Sequence, residues 1–213
     1  MNWTAYVDGY CERLAPGLWG EPLNSLSNLA FLIAAIAVWR QPKGRVFGVL
    51  IGLVFLGSTA FHLLATRWSA AADTGFILVF VLYYAAVFPH VFFGVGRRLA
   101  WLGIPVFLAF TAVVASLGGG LYLSALIGLV IFALILRGAD RRRFAVAAGV
   151  FGLSLSFRTA DHTVCGSFPA GTHFLWHLLN GLVLYLAATA VMLKLPKEGA
   201  ASRQDAAPST ENG

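Results

Sequence analysis

Seven stretches of the chain run apolar for about the 20 residues that a helix needs to cross a bilayer. They cover 23–39, 46–66, 72–92, 99–117, 121–136, 144–161 and 173–193. The breaks between them are chemically distinct. WRQPKGR (39–45) is basic and holds a proline, GVGRR (94–98) and RGADRRR (137–143) are basic, SLGGG (116–120) is a glycine turn, and CGSFPAG (165–171) is rich in turn formers. The pattern predicts an all-α, seven-transmembrane helix bundle over 23–193. It is preceded by an extracytoplasmic segment (1–22) and followed by a small, polar, disordered cytoplasmic tail (194–213). There is no internal repeat and no sign of a second domain.

Composition agrees with a membrane class. Of 213 residues, 59% are hydrophobic and 11% charged, with mean hydropathy +0.78; soluble domains average about 45–50% and about 25%. The start, MNWTAYVDGY, has neither the basic region nor the apolar region of a cleaved signal. A net charge of +6 would suggest nucleic acid in a soluble protein. Here it reads as loop charge that sets topology, so no nucleic-acid partner is expected. Arg40, Lys43 and Arg45 follow the first run, Arg97 and Arg98 the third, Arg137 and Arg141–Arg143 the fifth, and Lys194, Lys197 and Arg203 the seventh. With seven spans these twelve share one face, and only Arg13, Arg67 and Arg158 fall towards the other. The positive-inside rule then puts the N-terminus outside and the C-terminus in the cytoplasm of a multi-pass protein.

On that topology the rare polar residues collect on the non-cytoplasmic side. Asp8, Glu12 and Glu21 lie in the first segment, Ser58 and His62 end the second run, Asp73 starts the third, Arg158 and Asp161 end the sixth, and His173 and His177 open the seventh. Ionisable groups inside a membrane are rare and usually face the bundle interior. His173 and His177 are i, i+4 and share one helix face. His62 is the other span histidine at that level; His90 belongs to the opposite end and His162 to a loop. Three histidines plus a water make the open tetrahedral arrangement of a catalytic zinc, which lowers the pKa of its water to about 7 and polarises a carbonyl. Ser58, one turn before His62, is placed to donate to an oxyanion, and Asp73 to orient a ligand or take a proton. Plainer roles exist for each: the histidine pair as a helix contact, Ser58 bonded to its own helix, Asp73 as a helix cap.

Taken together, GSTAFH (57–62), Asp73 and HFLWH (173–177) resemble the alkaline ceramidase family, part of a seven-span hydrolase superfamily that includes the adiponectin receptors. YCERLAPGLWGEPLNSLSNLAF (10–31), with Cys11, Glu12, Glu21, Asn24, Ser27 and Asn28, is similar to the ceramidase branch in particular. The resemblance spans essentially 8–193. It implies a zinc held by His62, His173 and His177, with Ser58 and Asp73 catalytic. The activity implied is hydrolysis of the N-acyl amide of ceramide or a ceramide-like lipid to a fatty acid and a sphingoid base. It further implies a calcium site drawing on Asp8, Glu12 and Glu21. The match there is imperfect, because Gly9-Tyr10-Cys11-Glu12-Arg13-Leu14 displaces the Asp of the family pattern and lacks its Asn. The family also bridges the loops that carry Cys11 and Cys165, and both fall on the side where disulfides persist, so a Cys11–Cys165 disulfide is expected; two unpaired thiols are the alternative.

Arg158 and Asp161, at i, i+3, are expected to pair with each other, with contact from Arg158 to substrate as the alternative. Trp176 reads as packing, and Trp3, Trp19, Trp68 and Trp101 as an interfacial belt. The competing functions are a receptor-like member of the superfamily with little turnover, a bis-histidine haem protein and a proton-coupled transporter. Haem wants opposed axial ligands, and a transporter wants polar groups at the midplane and broken helices.

Overall fold

The N-terminal segment is fastened before the first helix begins. In the computed structural model, which describes residues 2–195, the Val7 amide donates to the Ala65 carbonyl at 2.8 Å and the Arg67 amide to Ala5 at 3.1 Å. The segment is thereby tied to the corner between two long helices. A short 3-10 turn, Leu18–Gly20, follows, and then, among the described residues, nine α-helices. These are α1 (Pro22–Ser27), α2 (Leu29–Trp39), α3 (Arg45–Leu64), α4 (Arg67–Phe93), α5 (Arg97–Ala100), α6 (Gly103–Ser116), α7 (Leu121–Ile135), α8 (Gly138–Val164) and α9 (His173–Met192). No strand is present among the described residues. The expected tail lies outside them apart from Lys194 and Leu195.

Local chemistry accounts for the boundaries. Pro22 occupies the first turn of α1, where its missing N–H costs nothing. Thr66 and Ser69 form a reciprocal capping box that starts α4 at Arg67, five residues earlier than hydropathy predicts, and Gly94 ends it in the left-handed region. Asp73 is therefore inside α4 and not its cap. The first apolar run is broken at Asn28, whose amide donates to the carbonyls of Asn24 and Ser25 at 3.0 and 3.4 Å, while Ser27 donates to Asn24. Such side-chain bonds compete with the helix ladder. The fourth run is broken at Trp101–Leu102.

Among the described residues, five of the rods are long and apolar enough to cross a membrane: Pro22–Trp39, Arg45–Leu64, Arg67–Phe93, Arg97–Ser116 and His173–Met192. The remaining two expected spans differ. α7 has 15 residues, about 22 Å at 1.5 Å per residue. α8 has 27 but carries Asp140 and Arg141–Arg143 in its first turns and Arg158 and Asp161 near its end. The rods pack in sequence, α2 on α3, α3 on α4, α4 on α6, α6 on α7, α7 on α8 and α8 on α9, and α9 closes back on α2. Phe31, Phe47, Ile51, Phe80, Phe144 and Val191 fill the core. The outside is studded with exposed Ile33, Leu56, Val106, Leu134 and Leu153, a surface compatible with a multi-pass protein in lipid. Two ends result. One carries the loops with Arg40, Lys43, Arg97, Arg98 and Arg137, and there Asp140 joins α8 to the end of α9 through Lys194 at 2.6 Å. The other gathers the C-terminal ends of α3 and α8, the start of α4, α1 and the start of α9.

Candidate metal centre

His62 leaves the last turn of α3 pointing inward, and His173 and His177 leave the first two turns of α9. All three are essentially unexposed. Their ligand-capable nitrogens lie within 4.8 Å of one another, and among the described residues no other group of three histidines, cysteines or acids converges in this way. The imidazole centroids of His62 and His177 are 4.7 Å apart, and those of His173 and His177 are 4.6 Å apart.

Hydrogen bonds orient two of the rings. His62 Nδ1 sits 2.9 Å from Glu21 Oε2. His177 Nδ1 is 2.8 Å from Ser27 Oγ and 3.1 Å from the Asn24 carbonyl. A carboxylate and a carbonyl can only accept, so Nδ1–H of each ring is the donor and each Nε2 keeps its lone pair. His62 Nε2 is buried with no partner, as is His173 Nδ1. An unsatisfied buried acceptor costs about 1–3 kcal/mol, and a cation shared by the three rings would remove that cost. The donor set fits a borderline metal such as zinc, and carboxylate backing of a ligand histidine is usual in such sites.

Ser58 lies one turn before His62 and is buried. Gly57 makes its position possible: a Cβ there would stand 2.6 Å from Phe76 Cδ2 and 3.0 Å from the Ala72 carbonyl. Backbone contact that close between α3 and α4 brings the Ser58 hydroxyl beside the Asp73 carboxylate. Arg158 and Tyr122 also neighbour Asp73. Deeper in the bundle is an apolar cavity of about 100 Å³ with Tyr122, Ile77, Phe80, Phe151 and Leu184 in its wall.

The N-terminal segment covers the histidines. The Tyr10 ring stacks on His173 at 3.7 Å and lies 5.2 Å from His62. Burial raises its phenol above the usual tyrosine range, and the nearby Asp73 charge adds to this. The Cys11–Cys165 disulfide is formed, with Cα atoms 5.3 Å apart, and ties this cover to the loop before α9.

The three acids expected to share a calcium ion, Asp8, Glu12 and Glu21, point in different directions. Asp8 is exposed. Glu12 turns both oxygens to the amides of Leu23 and Asn24 at 2.8 Å each, completing the start of α1. Glu21 faces the other way, into Arg13 and His62. Burial raises the Glu21 carboxyl, while the Arg13 charge, the Arg13 hydrogen bond and that of Asn24 hold it down. Arg158 does not pair with Asp161. Its guanidinium lies over Tyr122 at 4.7 Å and Trp176 at 5.7 Å. Asp161 instead accepts from the amides of Thr172 at 2.7 Å, His173 at 2.9 Å and Cys11 at 3.0 Å. It is the cap of α9, supplied by α8. Gly171 makes room for it: its φ is +62°, and a Cβ there would collide with the Asp161 carboxylate and Cys11. Trp176 is buried against Phe151, as packing requires, and His90 bonds the Val95 carbonyl at the far end.

Sequence reasoning alone misses the support that Glu21, Asn24 and Ser27 give to His62 and His177. The spacing Glu-x-x-Asn-x-x-Ser was visible, but nothing in it says that these residues lie against α3 and α9. Compared with known proteins, the chain matches no protein-family model and no curated protein.

Proposed function

We propose that the protein is a zinc-dependent membrane hydrolase that cleaves the N-acyl amide of ceramide or a ceramide-like lipid into a fatty acid and a sphingoid base. One observation carries the reading: His62, His173 and His177 converge in a buried cluster in which His62 Nε2 and His173 Nδ1 have no hydrogen-bond partner, and Ser58 and Asp73 stand together nearby. The motif resemblance to alkaline ceramidases adds the substrate class. We take α7 and α8 as the remaining two of seven spans. The basic loops face the cytoplasm, the N-terminus is outside, and the histidine cluster lies near the non-cytoplasmic face.

Zinc, when bound, supplies a Lewis acid for the amide carbonyl and an acidified water. The chain supplies the rest. Ser58 Oγ–H donates to the carbonyl oxygen as that oxygen gains negative charge. The Asp73 carboxylate accepts the proton released by water and returns it to the amide nitrogen as the C–N bond breaks, so that water and amide give acid and amine. The apolar cavity holds part of the acyl chain out of water, and the Tyr10 cover keeps bulk solvent from the histidines.

The test is metal content and fatty-acid release from a panel of N-acyl lipids, for wild type, chelator-stripped protein and His173→Ala. We expect zinc near one per chain in the wild type, and loss of metal and turnover together in the variant. Haem absorbance, absence of a transition metal, or no turnover on any lipid amide would defeat the proposal.

A further inference from the structure

The N-terminal segment carries a cation of its own where the resemblance implies calcium. Arg13 is 5% exposed and Glu21 is fully enclosed. Arg13 Nε donates to Glu21 Oε1 at 2.6 Å, and Nη1 donates to the Val7 carbonyl at 2.8 Å. The guanidinium is flanked by the rings of Phe61 at 4.5 Å and Tyr10 at 5.2 Å. The other Glu21 oxygen accepts from His62 Nδ1 at 2.9 Å and Asn24 Nδ2 at 3.2 Å. Calcium takes six to eight oxygens. Here the inward carboxylate and the Val7 carbonyl are already occupied by a guanidinium, Glu12 is spent on the α1 amides, and Asp8 is in solvent. A dication placed against Glu21 would also meet the Arg13 charge in a desolvated pocket, where like charges repel far more strongly than in water.

We infer that Arg13 is a built-in substitute for calcium and a positioning residue for the metal centre. Its guanidinium fixes the Glu21 carboxylate, and Glu21 fixes the His62 imidazole with Nδ1 protonated and Nε2 turned to the other two histidines. The positioning role rests on reading the three histidines as a metal site; the exclusion of calcium does not. A covalently attached cation cannot dissociate, so the centre is organised independently of the external calcium concentration.

The test uses the full chain purified in detergent. Zinc and calcium contents are measured after equilibration with calcium, and thermal denaturation is followed as calcium is titrated. Zinc affinity and the absorption spectrum of the cobalt(II) form are compared for wild type, Arg13→Lys, Arg13→Met, Glu21→Gln and the Arg13→Met/Glu21→Gln double variant. We expect no retained calcium and no calcium-dependent rise in Tm, which any ligand of the folded state would cause. Zinc binding should weaken at least about tenfold in Arg13→Met and in Glu21→Gln, with a changed cobalt spectrum and with Arg13→Lys in between. The double variant should bind no more weakly than Glu21→Gln alone, because the two residues act in series. Calcium bound at about one per chain, or Arg13→Met with wild-type zinc affinity and spectrum, would overturn the inference. Wild type without zinc would instead defeat the metal-centre reading, and the calcium measurements would still decide whether Arg13 replaces that ion. Should Arg13→Met not fold, Arg13→Lys and Glu21→Gln carry the affinity comparison.

Discussion

At the scale of single residues, the two parts of the candidate site are separable. His62 and His177 hold their geometry through Glu21, Ser27 and Asn24, whereas Ser58 and Asp73 are held by the contact of α3 with α4 at Gly57. Ser58→Ala and Asp73→Asn should therefore keep wild-type metal content. They should lose turnover, by about 10²–10³-fold for the oxyanion donor and about 10²–10⁴-fold for the proton carrier. Elemental analysis alongside a fatty-acid release assay checks this. Loss of metal in either variant would mean that the two sets of residues are one structural unit and that the assigned roles are wrong. Some of this scale is legible in the primary structure. His-x3-His places two rings on one helix face wherever the helix sits. The preference of Arg158 for Tyr122 and Trp176 over Asp161 is not legible, because i, i+3 proximity permits a pair without requiring one.

At the scale of elements, the start of α9 is the critical joint, since it positions two of the three histidines. Its first amides are satisfied by Asp161, which belongs to α8 and also holds the Cys11 amide. Asp161→Ala leaves those amides without partners at the buried end of a helix, a cost of about 1–3 kcal/mol for each one that stays dry. Thermal denaturation of the zinc-loaded protein should show a clear fall in Tm, with weaker zinc binding because His173 follows directly in the chain. An unchanged Tm together with unchanged zinc affinity would contradict the capping role. The helix boundaries illustrate the same limit on sequence reading. Hydropathy located α3, α7 and α9 to within two residues at each end, but placed the start of α8 six residues late, because the charges of Asp140 and Arg141–Arg143 mask a helix that the backbone forms all the same. It missed the break at Asn28 and the early start of α4, which depend on side-chain hydrogen bonds that hydropathy does not weigh.

At the scale of the whole molecule, the bundle separates a basic end from an end that carries the histidines, the disulfide and the N-terminal cover. The proposed orientation can be read directly, because the disulfide consumes both native cysteines. An Asn2→Cys variant should react with an impermeant maleimide in sealed right-side-out vesicles, and a Ser202→Cys variant only after permeabilisation. The opposite pattern would invert the topology and move the histidine cluster to the cytoplasmic face. The chain's own order of residues determined that it is helical and apolar, roughly where its rods run, and which end collects the rare polar groups, because a rod fit to cross a bilayer needs a length and a hydropathy that each segment carries by itself. It also determined the ligand candidates, since few histidines and acids are available at that end. What those acids do depends on contacts made in the folded chain. Glu12, Glu21 and Asp161 look alike as isolated carboxylates in sequence, yet one caps α1, one clamps Arg13 to His62 and one caps α9. Those roles follow from which helix ends and which cation lie opposite each of them, and contacts between distant segments are not encoded in local periodicity.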